Sequence, residues 1–233
     1  MSIFEARGMT VKYGAVVANS DVDIALEPGT VHGVIGPNGA GKSTFIDALS
    51  GRKRPTSGQV LLDGTDITRR SVAWRRHHGI SRSFQRTSVF GSMTVRTQLE
   101  MVARHNDEPD LDGIITVLGL DKVADHVCSE IAYGTQRSVD LAIALIGRPR
   151  VVLLDEPCAG LVADESVRML DHVKNLCVER NVAALLVEHD VEGVFRTCDR
   201  ITVLDLGRVL STGEPAAVRS DPAVIKAYLG SAA

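Results

Sequence analysis

The 233-residue sequence contains no apolar run of the roughly 18 residues that a membrane-crossing helix requires, so no spanning segment is expected. Nor does Met1-Ser2-Ile3-Phe4-Glu5-Ala6-Arg7 carry a basic stretch followed by an apolar one, and a secretory signal is not expected either. Cysteine is scarce: Cys128, Cys158, Cys177 and Cys198 lie far apart with no C-x-x-C pair, which argues against a disulfide framework or a thiolate metal site. Reduced cysteines packed inside a cytosolic protein are the expectation. Excess positive charge is missing too. With a net charge of −3 and a pI of about 6.2 there is no global electrostatic case for a nucleic-acid partner. The chain has no internal repeat, no low-complexity segment, no sustained heptad and no N-K-x-D segment of the kind that reads guanine. What remains is an ordinary globular composition, 44% hydrophobic and 24% charged, long enough for one large domain or a domain with a subdomain.

One stretch organises the chain. Gly36-Pro37-Asn38-Gly39-Ala40-Gly41-Lys42-Ser43-Thr44 fits G-x-x-x-x-G-K-[ST]. Glycines at these places let backbone N–H groups curl around a phosphate, Lys42 neutralises its charge and the Ser43 hydroxyl suits Mg²⁺. The flanks agree: Val31-His32-Gly33-Val34-Ile35 reads as a buried strand, and Thr44-Phe45-Ile46-Asp47-Ala48-Leu49 as a helix stopped by Gly51. The helix N-terminus adds unpaired N–H groups and partial positive charge where phosphates would sit.

Before this loop, Ile3 to Arg7 and Val22 to Leu26 read as strands of an antiparallel sheet flanking a polar loop with Tyr13-Gly14, and Gln59-Val60-Leu61-Leu62 extends that sheet. Arg69, Arg70, Arg75, Arg76, His77, His78, Arg82 and Arg86 form a basic run around Trp74, for which a solvated helix face is the plainer reading and a phosphate or lipid contact the sharper one. A mostly helical insertion is expected over roughly 70–145, with helices at Thr94 to Arg104 and Leu111 to Leu120 and a loop at Ser83 to Val89. Val151-Val152-Leu153-Leu154, Ala183-Ala184-Leu185-Leu186-Val187 and Ile201-Thr202-Val203-Leu204 then read as doubly buried parallel strands, alternating with helices such as Val167 to Arg180.

Ligands in open parallel sheets bind at the carboxyl ends of strands, where Gly36–Ser43, Asp155-Glu156 and Glu188-His189-Asp190 all fall. Asp155 suits a Mg²⁺-holding carboxylate opposite Ser43. Glu156 suits a general base for the attacking water, and His189 a contact to the γ-phosphate and that water. A strand-end acid that caps a helix and a hydrogen-bonded structural histidine are the bland alternatives.

The order of these motifs resembles the ATP-binding subunits of ABC transporters, from Tyr13 to Leu229. The resemblance implies an α/β fold: a RecA-like P-loop core with an antiparallel β subdomain (about 1–69 and 146–233) and a helical subdomain (about 70–145). It implies Mg²⁺ and ATP as ligands, Tyr13 stacked on adenine, and Gln85 in Ser83-Phe84-Gln85 as a catalytic and Mg²⁺-contacting residue that signals to the membrane subunit. The signature Ile131-Ala132-Tyr133-Gly134-Thr135-Gln136-Arg137 implies that Ala132 to Gln136 reach the nucleotide of a second ATPase subunit. Asp155-Glu156-Pro157 and His189 complete the set. The A-Y-G signature, E-H-D and the closing Asp221-Pro222-Ala223-Val224-Ile225-Lys226-Ala227-Tyr228-Leu229-Gly230 are similar to the branched-chain amino acid import ATPases, a group that includes urea and amide importers. Implied partners are integral permease subunits, a second ATPase subunit and, indirectly, a periplasmic binding protein, with the chain cytoplasmic and peripheral on the inner membrane face. A lipid or lipopolysaccharide exporter ATPase is the nearest alternative, and a soluble non-transport ABC protein a distant one. Ala132, Thr135 and Val162 depart from the general family pattern of Ser, Gln or Glu, and Asp or Asn.

Overall fold

Two sheets of opposite character divide the chain, and the division follows its hydrophobic alternation. The computed structural model describes residues 1–83 and 88–229. Strands β1 (Phe4–Tyr13) and β2 (Val16–Leu26) form a long antiparallel hairpin that turns at Gly14-Ala15. The segment expected as a polar loop is therefore strand almost to its tip. Met9 and Val11 are fully buried while Lys12 faces out, so an alternating face runs through residues whose overall polarity hides it.

The chain then makes β3 (Val31–Ile35), α1 (Lys42–Ser50), β4 (Ser57–Leu62) and β5 (Thr65–Asp66). Strands β4 and β5 complete the antiparallel sheet in the order β2-β1-β4-β5. After α2 (Val72–His77) comes β6 (Ile80–Arg82), followed by α3 (Val95–His105), α4 (Leu111–Val117) and α5 (Tyr133–Leu145). Side chains of Thr94 and Asp110 cap α3 and α4 by accepting N–H bonds from Thr97 and Gly113. The core then resumes with β7 (Val151–Asp155), α6 (Ala163–Arg180), β8 (Ala183–Val187), α7 (Val191–Thr197), β9 (Arg200–Asp205), β10 (Arg208–Gly213), α8 (Pro215–Ser220) and α9 (Pro222–Leu229). The second sheet runs β10-β9-β3-β8-β7-β6, parallel except for β10.

Side-chain period decides what covers each face of that sheet. Val151 and Leu153 of β7 pack with Phe45, Ile46 and the antiparallel sheet, whereas Val152 and Leu154 pack with the helices on the other side. Strand β8 repeats this, Leu185 on one side and Leu186 on the other. A strand that faces two cores has no polar face, hence the unbroken apolar runs.

The expected helical insertion starts later than residue 70. Ile80, Ser81 and Arg82 pair with Val151, Val152 and Leu153, so β6 is an edge strand of the core sheet and the helical run starts at α3. The basic run is only partly a solvated face: Arg69, Arg70, His77 and His78 are exposed, but Arg75 is buried and Arg76 and Arg82 are partly so. Arg75 is almost wholly buried and donates to the carbonyls of Leu49 (2.5 Å) and Ile67 (2.9 Å), filling acceptors left open at the end of α1 and after β5. Burial pushes its pKa down to about 10. Arg76 donates to the Ile146 carbonyl at 2.9 Å, and His78 stacks on Trp74 with ring centroids 3.6 Å apart. A guanidinium buried against carbonyls looks, in sequence, like one in water.

Candidate active site

Strands β3, β8 and β7 are immediate parallel neighbours, and Val187 lies level with Val34 on one side and Asp155 on the other. The residues that follow each strand therefore leave the sheet together. They converge on a cleft of about 520 Å³ lined by Asn38 to Thr44, Glu156 and His189, with Val16, Val17, Leu206 and Gly207 along its border.

The loop Gly36–Gly41 is shaped by contacts no side chain would permit. A Cβ on Gly36 would lie 2.2 Å from the Leu204 carbonyl oxygen, and one on Gly41, at φ 98°, 2.4 Å from that of Ala18. Lys42 opens α1 with only 5% of its surface exposed, and its Nζ donates to the carbonyls of Gly36 (2.7 Å) and Pro37 (3.1 Å). Burial lowers the Lys42 pKa, which the nearby Glu156 carboxylate partly offsets.

Glu156 stands just past β7 in the left-handed region (φ 51°), its N–H donating to the Val187 carbonyl at 2.8 Å. His189 Nε2 lies 2.8 Å from Glu156 Oε1, with the carboxylate largely buried and the imidazole half exposed. The two residues read as base and water-orienting histidine are thus in direct contact. Arg137, four residues after Tyr133 and buried, fixes the turn behind them: its guanidinium donates to the carbonyls of Glu156 (2.5 Å) and Pro157 (3.0 Å). Glu188 fixes it from the other side, accepting the N–H of Cys158 at 2.6 Å and of His189 at 3.1 Å. Burial holds the Glu188 carboxyl above the usual carboxylate range. Neither residue carries a motif signal of its own beyond its place beside one.

Asp155 is held by a partner the sequence did not single out. Arg82 Nη2 lies 2.7 Å from Asp155 Oδ2, while Nη1 reaches Asp47 Oδ1 (2.6 Å) and Ser50 Oγ (2.9 Å) on α1. Among the described residues no cluster of three or more His, Cys, Asp or Glu is suited to a metal. Mg²⁺ rarely needs one, being held by one or two protein oxygens, phosphates and water. A hydroxyl from Ser43 and a carboxylate from Asp155 are hard donors of that kind, and the donor set fits.

Other expected contacts lie apart. Tyr13 is half exposed at the end of β1, with the Lys53 ammonium 4.1 Å above its ring centroid, and it is not among the cleft-lining residues. Ala132 to Gln136 begin α5, where Tyr133 packs on Gly160, and none of them lines the cleft. Gln85 lies outside the described residues. Val16, Val17 and Leu206 were missed in the sequence, because exposed apolar residues in hairpins carry no motif.

A phosphate loop after a central parallel strand, facing a carboxylate and an imidazole from its neighbours, defines the class: a P-loop nucleoside triphosphatase of α/β fold. The ABC transporter family model matches residues 19–159, and the chain belongs to that family as an ATP-binding and ATP-hydrolysing subunit. Residues 208–233 match the model of the branched-chain amino acid ATP-binding cassette transporter. The chain is 34% identical to the high-affinity branched-chain amino acid transport ATP-binding protein BraF of Pseudomonas aeruginosa, over 99% of this chain and 98% of that protein. It is 32% identical to LivG of Escherichia coli K12, a protein of the same description, with the same coverage. The crystal structure of the ADP conformation of MJ1267, an ATP-binding cassette of an ABC transporter, superposes with a TM-score of 0.88 at 28% identity, covering 99% of both chains.

Proposed function

We propose that this chain is the ATPase of an importer for branched-chain amino acids or related small polar solutes such as urea and amides. The observation that carries this reading is the match of residues 208–233 to the branched-chain amino acid cassette, on top of full-length similarity to BraF and LivG. In this reading the chain sits peripherally at the inner membrane face, clamped to permease subunits, paired with a second ATPase subunit and served indirectly by a solute-binding protein. No helix among the described residues is long and apolar enough to cross a membrane, which agrees with attachment through partners. A groove of about 1040 Å³ between α2, β6 and the helices α3 and α5, lined by Trp74, His78, Val102, His105 and Ile143, supports a permease dock on this face.

The cleft's own residues supply the chemistry. Backbone N–H groups of Gly39 to Ser43 and the Lys42 ammonium bind the β- and γ-phosphates, a charge-assisted contact. Glu156 accepts a proton from the attacking water, and His189, 2.8 Å away, keeps that carboxylate and the water in register with the γ-phosphate. Mg²⁺, held by Ser43 and Asp155 with Gln85 as the third expected ligand, would neutralise phosphate charge when bound.

The test is uptake of labelled leucine in cells lacking the native gene. Wild-type chain should restore uptake and Glu156→Gln should lower it at least about a hundredfold, the scale of a lost general base. Restored transport of a solute of another class, with no uptake of leucine, isoleucine, valine, urea or small amides, would overturn the substrate reading.

A further inference from the structure

The hairpin joining β9 to β10 holds a residue that local folding does not ask for. Asp205 pairs with Arg208, leaving the two-residue loop Leu206-Gly207, in which both φ values are positive, 45° and 78°. Positive φ at both central positions belongs to the type I′ turn, whose twist matches a hairpin and whose first position favours Asn, Asp or Gly. A leucine there is crowded by its own Cβ. It is also 83% exposed. Asparagine would satisfy both requirements of the turn, so leucine in this place needs another reason.

The turn is fastened to the phosphate loop. Gly207 N–H donates to the Ala40 carbonyl at 3.1 Å, Ser20 N–H donates to the Gly207 carbonyl at 2.8 Å, and a Cβ on Gly207 would lie 2.5 Å from the Ala18 oxygen. Leu206 is therefore held at a fixed place on the border of the cleft, which it lines together with Val16 and Val17 from the tip of the other hairpin. Those valines are 65% and 43% exposed. Three uncovered apolar side chains thus adjoin a polar cradle that holds Lys42, Glu156 and His189. A nucleotide has the matching division, a polyanionic end and a flat base with apolar faces.

We propose that Leu206 is a nucleotide-gripping residue that, with Val16 and Val17, forms an apolar clamp on the base and ribose, in addition to the stacking expected of Tyr13. This rests on the phosphate-loop reading of Gly36 to Ser43. Apolar side chains touch the faces of a base and do not read its edge, so the clamp holds adenine and guanine alike.

The variant Leu206→Asn separates folding from binding, because asparagine suits the turn. Calorimetric titration of the monomeric protein with ATP, GTP and inorganic tripolyphosphate, beside thermal melting, is the experiment. The Asn variant should melt at or above the wild-type temperature, lose about three- to tenfold affinity for both nucleotides as apolar contact is removed, and keep its affinity for tripolyphosphate. Unchanged ATP affinity, or an equal loss for tripolyphosphate, overturns the clamp. So does a variant whose monomer binds ATP normally but no longer dimerises with it, since the leucine would then serve a second copy. Failure of the underlying reading shows separately, as a wild type that binds ATP no better than Lys42→Ala.

Discussion

Val162 occupies the N-cap of the 18-residue helix α6 with a side chain that cannot accept a hydrogen bond. Four other helices follow the rule, with Ser71, Thr94, Asp110 and Asp190 each accepting an N–H from the first turn, while α1, α5 and α8 share with α6 the lack of a side-chain cap. At α6 the first-turn acids Asp164 and Glu165 answer the helix dipole, and Glu165 Oε2 accepts the Val162 N–H at 3.3 Å. Val162 itself is exposed. Val162→Asp should therefore stabilise the fold by about 0.5–1 kcal/mol, as an added N-cap does, and raise the melting temperature by roughly 1–4 °C for a chain of this size. Thermal melts of the two proteins read this directly, and a lower melting temperature for the aspartate variant would show that valine packs usefully at this site. The same substitution restores the polar residue that the family pattern has in this loop, which matters again for the assembled molecule.

Three elements meet at Arg82, and their union belongs to no single motif. Its guanidinium leaves β6 to bind Asp155 at the end of β7 and Asp47 and Ser50 on α1, with both Arg82 and Asp155 side chains about nine-tenths buried. Removing one partner of such a pair strands the other charge in the interior, an effect of about 3–5 kcal/mol. Arg82→Ala should lose stability on that scale in urea unfolding, whereas Arg69→Ala, on the exposed part of the same basic run, should change it by under about 0.5 kcal/mol. Equal effects would mean that the ion pair adds nothing. The contrast also shows what could be read in advance. Strands facing two cores, such as Val151–Asp155 and Ala183–Val187, announce themselves by unbroken apolar runs, and the phosphate loop by glycines that backbone geometry compels. Glu156 and His189 follow because parallel neighbours end together. Arg75 and Arg82 could not be placed, since a buried guanidinium is specified by carbonyls and carboxylates distant in sequence. The strand through Met9 and Val11 was hidden by the polar residues that alternate with them, and β6 is too short, at three residues, to show a period.

For the whole molecule, the separation of the signature from the cleft is the consequential feature. Ala132 to Gln136 start α5, and their near neighbours are Gly160 and Glu165 of the same chain rather than Lys42 or Glu156. We propose that these residues complete a cleft on a second ATPase subunit, as the family resemblance implies. In that role this chain offers a methyl group at Ala132, a short hydroxyl at Thr135 and the apolar, exposed Val162, three places where the general pattern has polar reach. Each missing polar contact across an interface is worth about 0.5–1.5 kcal/mol when it replaces water, and a two-fold sandwich of this chain lacks each of the three twice, so self-pairing is weakened by at least about a hundredfold. Glu156→Gln keeps the nucleotide bound while removing the base, so any closed dimer that can form should accumulate when ATP is added. Light scattering on size-exclusion chromatography should find Glu156→Gln mostly monomeric with ATP. Adding the Val162→Asp change, or a partner ATPase with a fuller signature, should shift it toward the dimer and, in the wild-type background, raise the hydrolysis rate. A tight ATP-dependent homodimer of the Glu156→Gln chain alone would show instead that alanine, threonine and valine at these positions suffice for closure.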